Sequence, residues 1–199
     1  ETKSPALALG LSAIKALFFL IYFSLIFNDA RTLIDDIDYF YGGQELNSIG
    51  VNAFNIVENL EVLLGLGEGW HFGYYVYNLI AFNIFGEYYF SPVSLNVIAM
   101  LPVASMGARI AVRGGLINGG HKIPFFVFIL LSPEIVAWSS TLNLKDPLIL
   151  LAHVVFIYSI QNLLYGNRKY FIIHFSAGMI IALFIRVYIP CLLYTSDAA

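Results

Sequence analysis

The chain has 199 residues, of which 59% are hydrophobic and 12% charged, with a mean hydropathy of +0.79 and a formal net charge of −3. A soluble domain carries about 25% charged residues, so half that share argues against a water-soluble globule and for an all-α, polytopic bundle of transmembrane helices, whose outer face lipid solvates. A small negative charge without a basic stripe implies no nucleic-acid partner.

In chain order, the first apolar run, about residues 6–27, is too long for a signal h-region and lacks a small-residue cleavage site, so it is expected to remain as a span. Lys15 interrupts it and is expected to snorkel to the nearer interface. Residues 28–91 form a long outer segment, in which 47–65 is expected to be an interfacial helix and 70–85 an interfacial or re-entrant one, with a sixth span as the alternative. Further spans are expected at about 92–112, 123–138, 147–165 and 170–189, each near the ~20 residues that cross hydrocarbon. The third contains Ser132-Pro133-Glu134 and is expected to bend or emerge early. Five spans with Lys3, Arg109, Arg113, Lys122, Arg168 and Lys169 on one side place the amino terminus in the cytoplasm and the acidic loops outside.

Both ends look artificial. The chain begins at Glu1 without an initiator Met, and the tail CLLYTSDAA, residues 191–199, resembles a translated sequencing adapter. Residues 1–190 are then a single transmembrane domain, expected to be an amino-terminal fragment. The one cysteine, Cys191, belongs to that tail and carries no redox argument.

The chemistry-bearing residues gather in the outer segments. Asp35-Asp36-Ile37-Asp38-Tyr39 sets three carboxylates within four residues. Such a group repels itself unless a cation is present, suits Mg²⁺ or Mn²⁺, or takes a proton from an acceptor hydroxyl. The plain alternative is a solvated acidic loop. Lys145-Asp146 precedes Pro147, where Asp146 reads as a helix N-cap or as a carboxylate across a cavity from the first cluster, with Lys145 near a bound phosphate. Glu134 is expected to pair with Lys145 or to lie at the interface. Arg186 reads as a snorkelling arginine or a phosphate clamp. His71 is the one histidine worth testing, and His121, His153 and His174 share no metal-ligand spacing. Gly42-Gly43, Gly114-Gly115 and Gly119-Gly120 read as turn residues.

The acidic cluster followed by Tyr39, the aromatic outer segment, Asn96 in SPVSLNVIAML, and LSPEIVAWSSTLNLKD before a new span together resemble the amino-terminal half of polytopic membrane glycosyltransferases of the C-type superfamily. The nearest likeness is to bacterial relatives of protein mannosyltransferases and aminoarabinose transferases. The resemblance covers about residues 17–186 on short motifs. It implies a cell-envelope enzyme of the bacterial cytoplasmic membrane that moves a sugar from a polyprenyl-phosphate donor to a glycan, lipid or protein acceptor outside, with inversion. Asp35 and Asp36, with Tyr39 at the expected offset, match its first acidic motif and Asp146 the second, and Asp38 is an additional carboxylate. Asp36 and Asp146 would hold a divalent metal, Mg or Mn, where one is used. Lys145 and, more weakly, Arg186 would bind phosphate. The fragment alone is expected to be inactive. Two alternatives are a transporter or flippase for lipid-linked sugars, which favours inverted repeats and broken helices, and a polysaccharide polymerase, which would favour arginines in these loops.

Overall fold

The computed structural model describes residues 5–28, 34–52, 55–66 and 72–185. The described residues are helical and contain no strand. In order they are α1 (Pro5–Ile21), continued by a π-helical turn (Tyr22–Ile26), α2 (Ile34–Ser48), α3 (Leu60–Leu66), α4 (Phe72–Phe85) and α5 (Phe90–Arg113). After a 3₁₀ turn (Gly119–His121) follow α6 (Lys122–Leu131), α7 (Pro133–Ser140), α8 (Asp146–Leu164) and α9 (Arg168–Ile185). Among them α5, α8 and α9 are long and apolar enough to cross a membrane, and α6 with α7, bent by 50°, would make a fourth.

The bend has a simple cause. Pro133 cannot donate to the helix ladder and its ring excludes the helical conformation from the residue before it, so the backbone at Ser132 turns extended (φ −59°, ψ 139°) and α7 restarts with proline in its first turn. The antiparallel pair α8 and α9 forms the most extensive helix contact, and α8 also packs on α5. Gly178 lets the Phe156 ring approach within 3.0 Å of where a Cβ would stand. At the other side α2 lies on α4, and α4 on α5 and α9.

The 28–91 region differs from its expected form. The acidic cluster is not a loop: it opens α2, whose buried residues Asp36, Tyr39, Phe40, Gly43 and Leu46 fall on one helical face. Gly42 and Gly43 are not turn residues. They sit inside α2, where a Cβ would lie 2.5 Å from the Tyr75 ring and 2.7 Å from Asn78 Cβ, so they let α2 and α4 approach closely. Of the 47–65 stretch, Asn47 and Ser48 end α2, residues 55–59 are turn, and helix resumes at Leu60 as α3. α4 is no surface helix, since Gly73–Val76, Asn78, Leu79, Ala81 and Phe82 are all buried.

The π turn aligns Phe19, Phe23 and Phe27 against Phe40, Phe82, Tyr89 and Val93. Phe27 stacks on Tyr89 with ring centroids 5.0 Å apart. Lys15 does not snorkel: its side chain is fully buried, and Nζ donates to Ser139 Oγ at 2.8 Å and to Leu130 O at 3.4 Å. Leu130 O is a carbonyl at the end of α6, which the helix break leaves needing a donor.

Candidate functional site

The helical turn of about 100° per residue separates the acidic cluster. Asp36 falls on the buried face of α2 and Asp38, two residues on, is exposed. The side chain of Asp35 lies outside the described residues, as do His71 and Arg186. Asp36 is fully buried, and its carboxylate accepts a hydrogen bond from Tyr89 OH and one from the Asn143 backbone N–H at 3.1 Å. Burial, with the Asp36 carboxylate beside it, holds the Tyr89 phenol above its ordinary range, so Tyr89 serves as a proton-bearing donor.

The partner segment, residues 141–145, is fixed atom by atom. Asn143 Nδ2 donates to Asn78 Oδ1 at 2.7 Å. Leu144 O accepts from Tyr74 OH at 2.7 Å and from Asn96 Nδ2 at 3.0 Å. Tyr74 OH also lies 3.0 Å from Asn143 Oδ1. A phenol has a single proton, and the shorter contact gives it to Leu144 O. Tyr77 OH donates to Asn96 Oδ1 at 3.0 Å. Lys145, 6% exposed, donates to Tyr39 OH, with Nζ 4.9 Å from the Tyr39 ring centroid. Tyr39 in turn meets Tyr74 edge-on, centroids 4.7 Å apart. Apart from Asn143 Oδ1, which competes with Leu144 O for the Tyr74 proton, these polar groups satisfy one another, the condition under which such a network is tolerated in a core.

Asp146 points elsewhere. The N-cap of α8 is Lys145, not Asp146, and no side chain caps the helix. Asp146 instead lies in the first turn, where the helix dipole favours its charge, and is exposed. It lines a cavity of about 300 Å³ together with Glu134, Trp138, Ser139, Met100, Ile135, Pro147 and Leu150. Glu134 does not pair with Lys145. Neither carboxylate makes a hydrogen bond or ion pair with a described residue. The backbone beside Asp146 therefore meets Asp36, while the Asp146 carboxylate looks into a cavity that neither Asp36 nor Asp38 lines.

No group of three or more possible metal ligands occurs among the described residues. His153 and His174 each place Nδ1 against the carbonyl four residues earlier, Ile149 O at 2.7 Å and Tyr170 O at 2.6 Å, and His121 is exposed. Sequence reasoning passed over Tyr74, Tyr77, Asn78, Tyr89 and Asn143. The first three sit at i, i+3 and i+4 of α4, so a polar stripe on one helical face was the available signal. Asn143 and Tyr89 carried none, because their partners lie 107 and 53 residues away.

The chain matches no protein family, no curated protein and no solved structure.

Proposed function

We propose that the chain is the membrane-spanning part of a glycosyltransferase that moves a sugar from a polyprenyl-phosphate donor to an acceptor at the outer face, with inversion. In this reading α1 with its π turn, α5, the bent α6–α7 pair, α8 and α9 are the five spans, and the amino terminus is cytoplasmic. What supports the reading is that the segment just before Asp146 packs on α2, since the Asp36 carboxylate accepts the Asn143 N–H at 3.1 Å and Lys145 lies against Tyr39; the Asp36 and Asp146 carboxylates themselves do not share a cavity. The two segments join at the end of the bundle where α8 begins, beside a cavity that offers two free carboxylates.

The residues divide the work. Asp36, held by Tyr89 and Asn143, positions the 141–145 segment and does not face substrate. Asp146 is the base that takes the acceptor's hydroxyl proton as its oxygen attacks the anomeric carbon. The bond from that carbon to the phosphate oxygen breaks, and the phosphate leaves as an anion that nearby positive charge stabilises. Lys145 is buried against Tyr39 and does not line the cavity of Asp146, so in this reading a divalent cation would supply that charge. Asp35 and Asp38 remain candidates for holding such a cation.

A transporter or flippase for lipid-linked sugars is the second reading. What favours it is the broken α6–α7 helix with the fully buried Lys15 at its break, a feature common in transporters. The test is sugar transfer from a labelled polyprenyl-phosphate donor in membranes expressing the natural protein and its Asp36→Asn and Asp146→Asn variants. Both variants are expected to insert normally and lose transfer. Retained transfer in both removes Asp36 and Asp146 from the reaction, absence of transfer in the natural protein ends the enzyme reading, and movement of the donor across the bilayer without transfer replaces it with the second.

A further inference from the structure

We infer that the cavity between α5, α7 and the start of α8 seats a neutral saccharide ring, with Trp138 as its platform and Glu134 and Asp146 as acceptors for its hydroxyls. The inference rests on the glycosyl-transfer reading and gives that site its sugar subsite.

Three features of the wall select the occupant. Trp138 is 48% exposed and lines the cavity, so its indole is not wholly spent on packing. Glu134 and Asp146 are exposed and unengaged among the described residues, and a carboxylate accepts from paired hydroxyls through its two oxygens. Behind the same wall stands Lys15: its fully buried Nζ donates to the cavity-lining Ser139 and makes no ion pair with a described residue. The two signs of charge work against an ionic ligand. The carboxylates repel an anion, and the Lys15 ammonium, bonded directly to the wall, opposes an organic cation. Two carboxylates also fall short of the six to eight oxygens that a hard divalent ion collects. A neutral ring with hydroxyls along its edge and C–H groups on its face fits all three. The volume of about 300 Å³ lies at the small end of ligand sites, and Met100, Ile135, Pro147 and Leu150 complete an apolar floor.

The geometry of the wall follows from the Pro133 break. Lys15 ties Leu130 O at the end of α6 to Ser139 on α7, so Glu134, Trp138 and Ser139 are turned to one side together.

The sequence holds two tryptophans, so Trp70→Phe leaves Trp138 as the single reporter in the 199-residue chain. In bilayer nanodiscs its emission is titrated with methyl glycosides, tetramethylammonium and Mg²⁺. A saturable change with a glycoside is expected, weakened about tenfold in Glu134→Gln and in Asp146→Asn, as expected for losing a hydrogen bond to a charged group. Leu150→Phe fills the cavity without removing a polar group and is expected to abolish the response in a chain that still runs as a monodisperse peak. A response to tetramethylammonium or Mg²⁺ alone, or to none of the probes, overturns the inference. Transfer activity that survives Glu134→Gln and Leu150→Phe, with no glycoside response, removes the subsite and leaves the enzyme reading. A glycoside response in a wild-type protein that transfers nothing leaves the subsite and removes the enzyme reading.

Discussion

The bond between Asp36 and Tyr89 joins α2 to the turn before α5, and its worth can be set by a double-mutant cycle. Asp36 is fully buried and Tyr89 is 7% exposed, so neither group recovers water when its partner is lost. A hydrogen bond to a charged group contributes about 1.5–3 kcal/mol, and an orphaned buried donor costs about 1–3 kcal/mol. Tyr89→Phe removes the hydroxyl and keeps the ring that stacks on Phe27, so it is expected to destabilise by about 1.5–3 kcal/mol. Asp36→Ala also orphans the Asn143 N–H and is expected to cost about 2–6 kcal/mol, from two groups at 1–3 each. Once Asp36 is absent, Tyr89→Phe should cost less than in the natural chain, because the hydroxyl has lost its carboxylate acceptor. The coupling is then up to about 1.5–3 kcal/mol, the worth of a hydrogen bond to a charged group. The assay is reversible unfolding in mixed micelles, followed by helix content, on the two single variants and the double variant. Additivity within about 0.5 kcal/mol, the behaviour of independent sites, refutes the geometry at this position.

Three further outcomes follow from the same packing. Gly73→Ala would place a Cβ 1.4 Å from the Phe184 backbone carbonyl oxygen; backbone cannot rotate away as a side chain can, so a loss at or above the usual ~1–3 kcal/mol of overpacking is expected, read in the same micelle titration. Lys15→Glu sets a carboxylate against Leu130 O, an acceptor facing an acceptor, and is expected to prevent folding to a monodisperse species on size exclusion; a normal profile would mean that Lys15 does not reach the helix break. Asn96→Leu strips Tyr77 OH of its acceptor and Leu144 O of one donor. It is expected to cost about 1–6 kcal/mol, one or two buried groups at 1–3 each, and to increase protease cutting in 141–145, while unchanged cutting and stability would remove Asn96 from the network.

The helices were legible because hydrophobic runs carry their own period. The 92–112 and 147–165 runs became α5 and α8 with ends shifted by a few residues, the 170–189 run became α9, whose described part is Arg168–Ile185, and Pro133 announced the bend because proline acts on its own turn. The 28–91 region was misread where local chemistry pointed away from the packed result. Three aspartates and a glycine pair suggest a loop, yet the buried face of α2 and the close approach of α4 made them a helix. Tyr74 and Tyr77, expected at a headgroup level, spend their hydroxyls inside the network.

What the sequence settled alone was composition and period: apolar helices, their order, and the acids beside them. Which carboxylate faces what was left to the fold. Asp36 turns inward to Asn143 and Tyr89, Asp38 outward to solvent, and Asp146 into a cavity with Glu134. The physical reason is that burial of a charged group depends on donors brought to it from elsewhere in the chain. Such donors arrive only when distant helices pack, so no local pattern announces them.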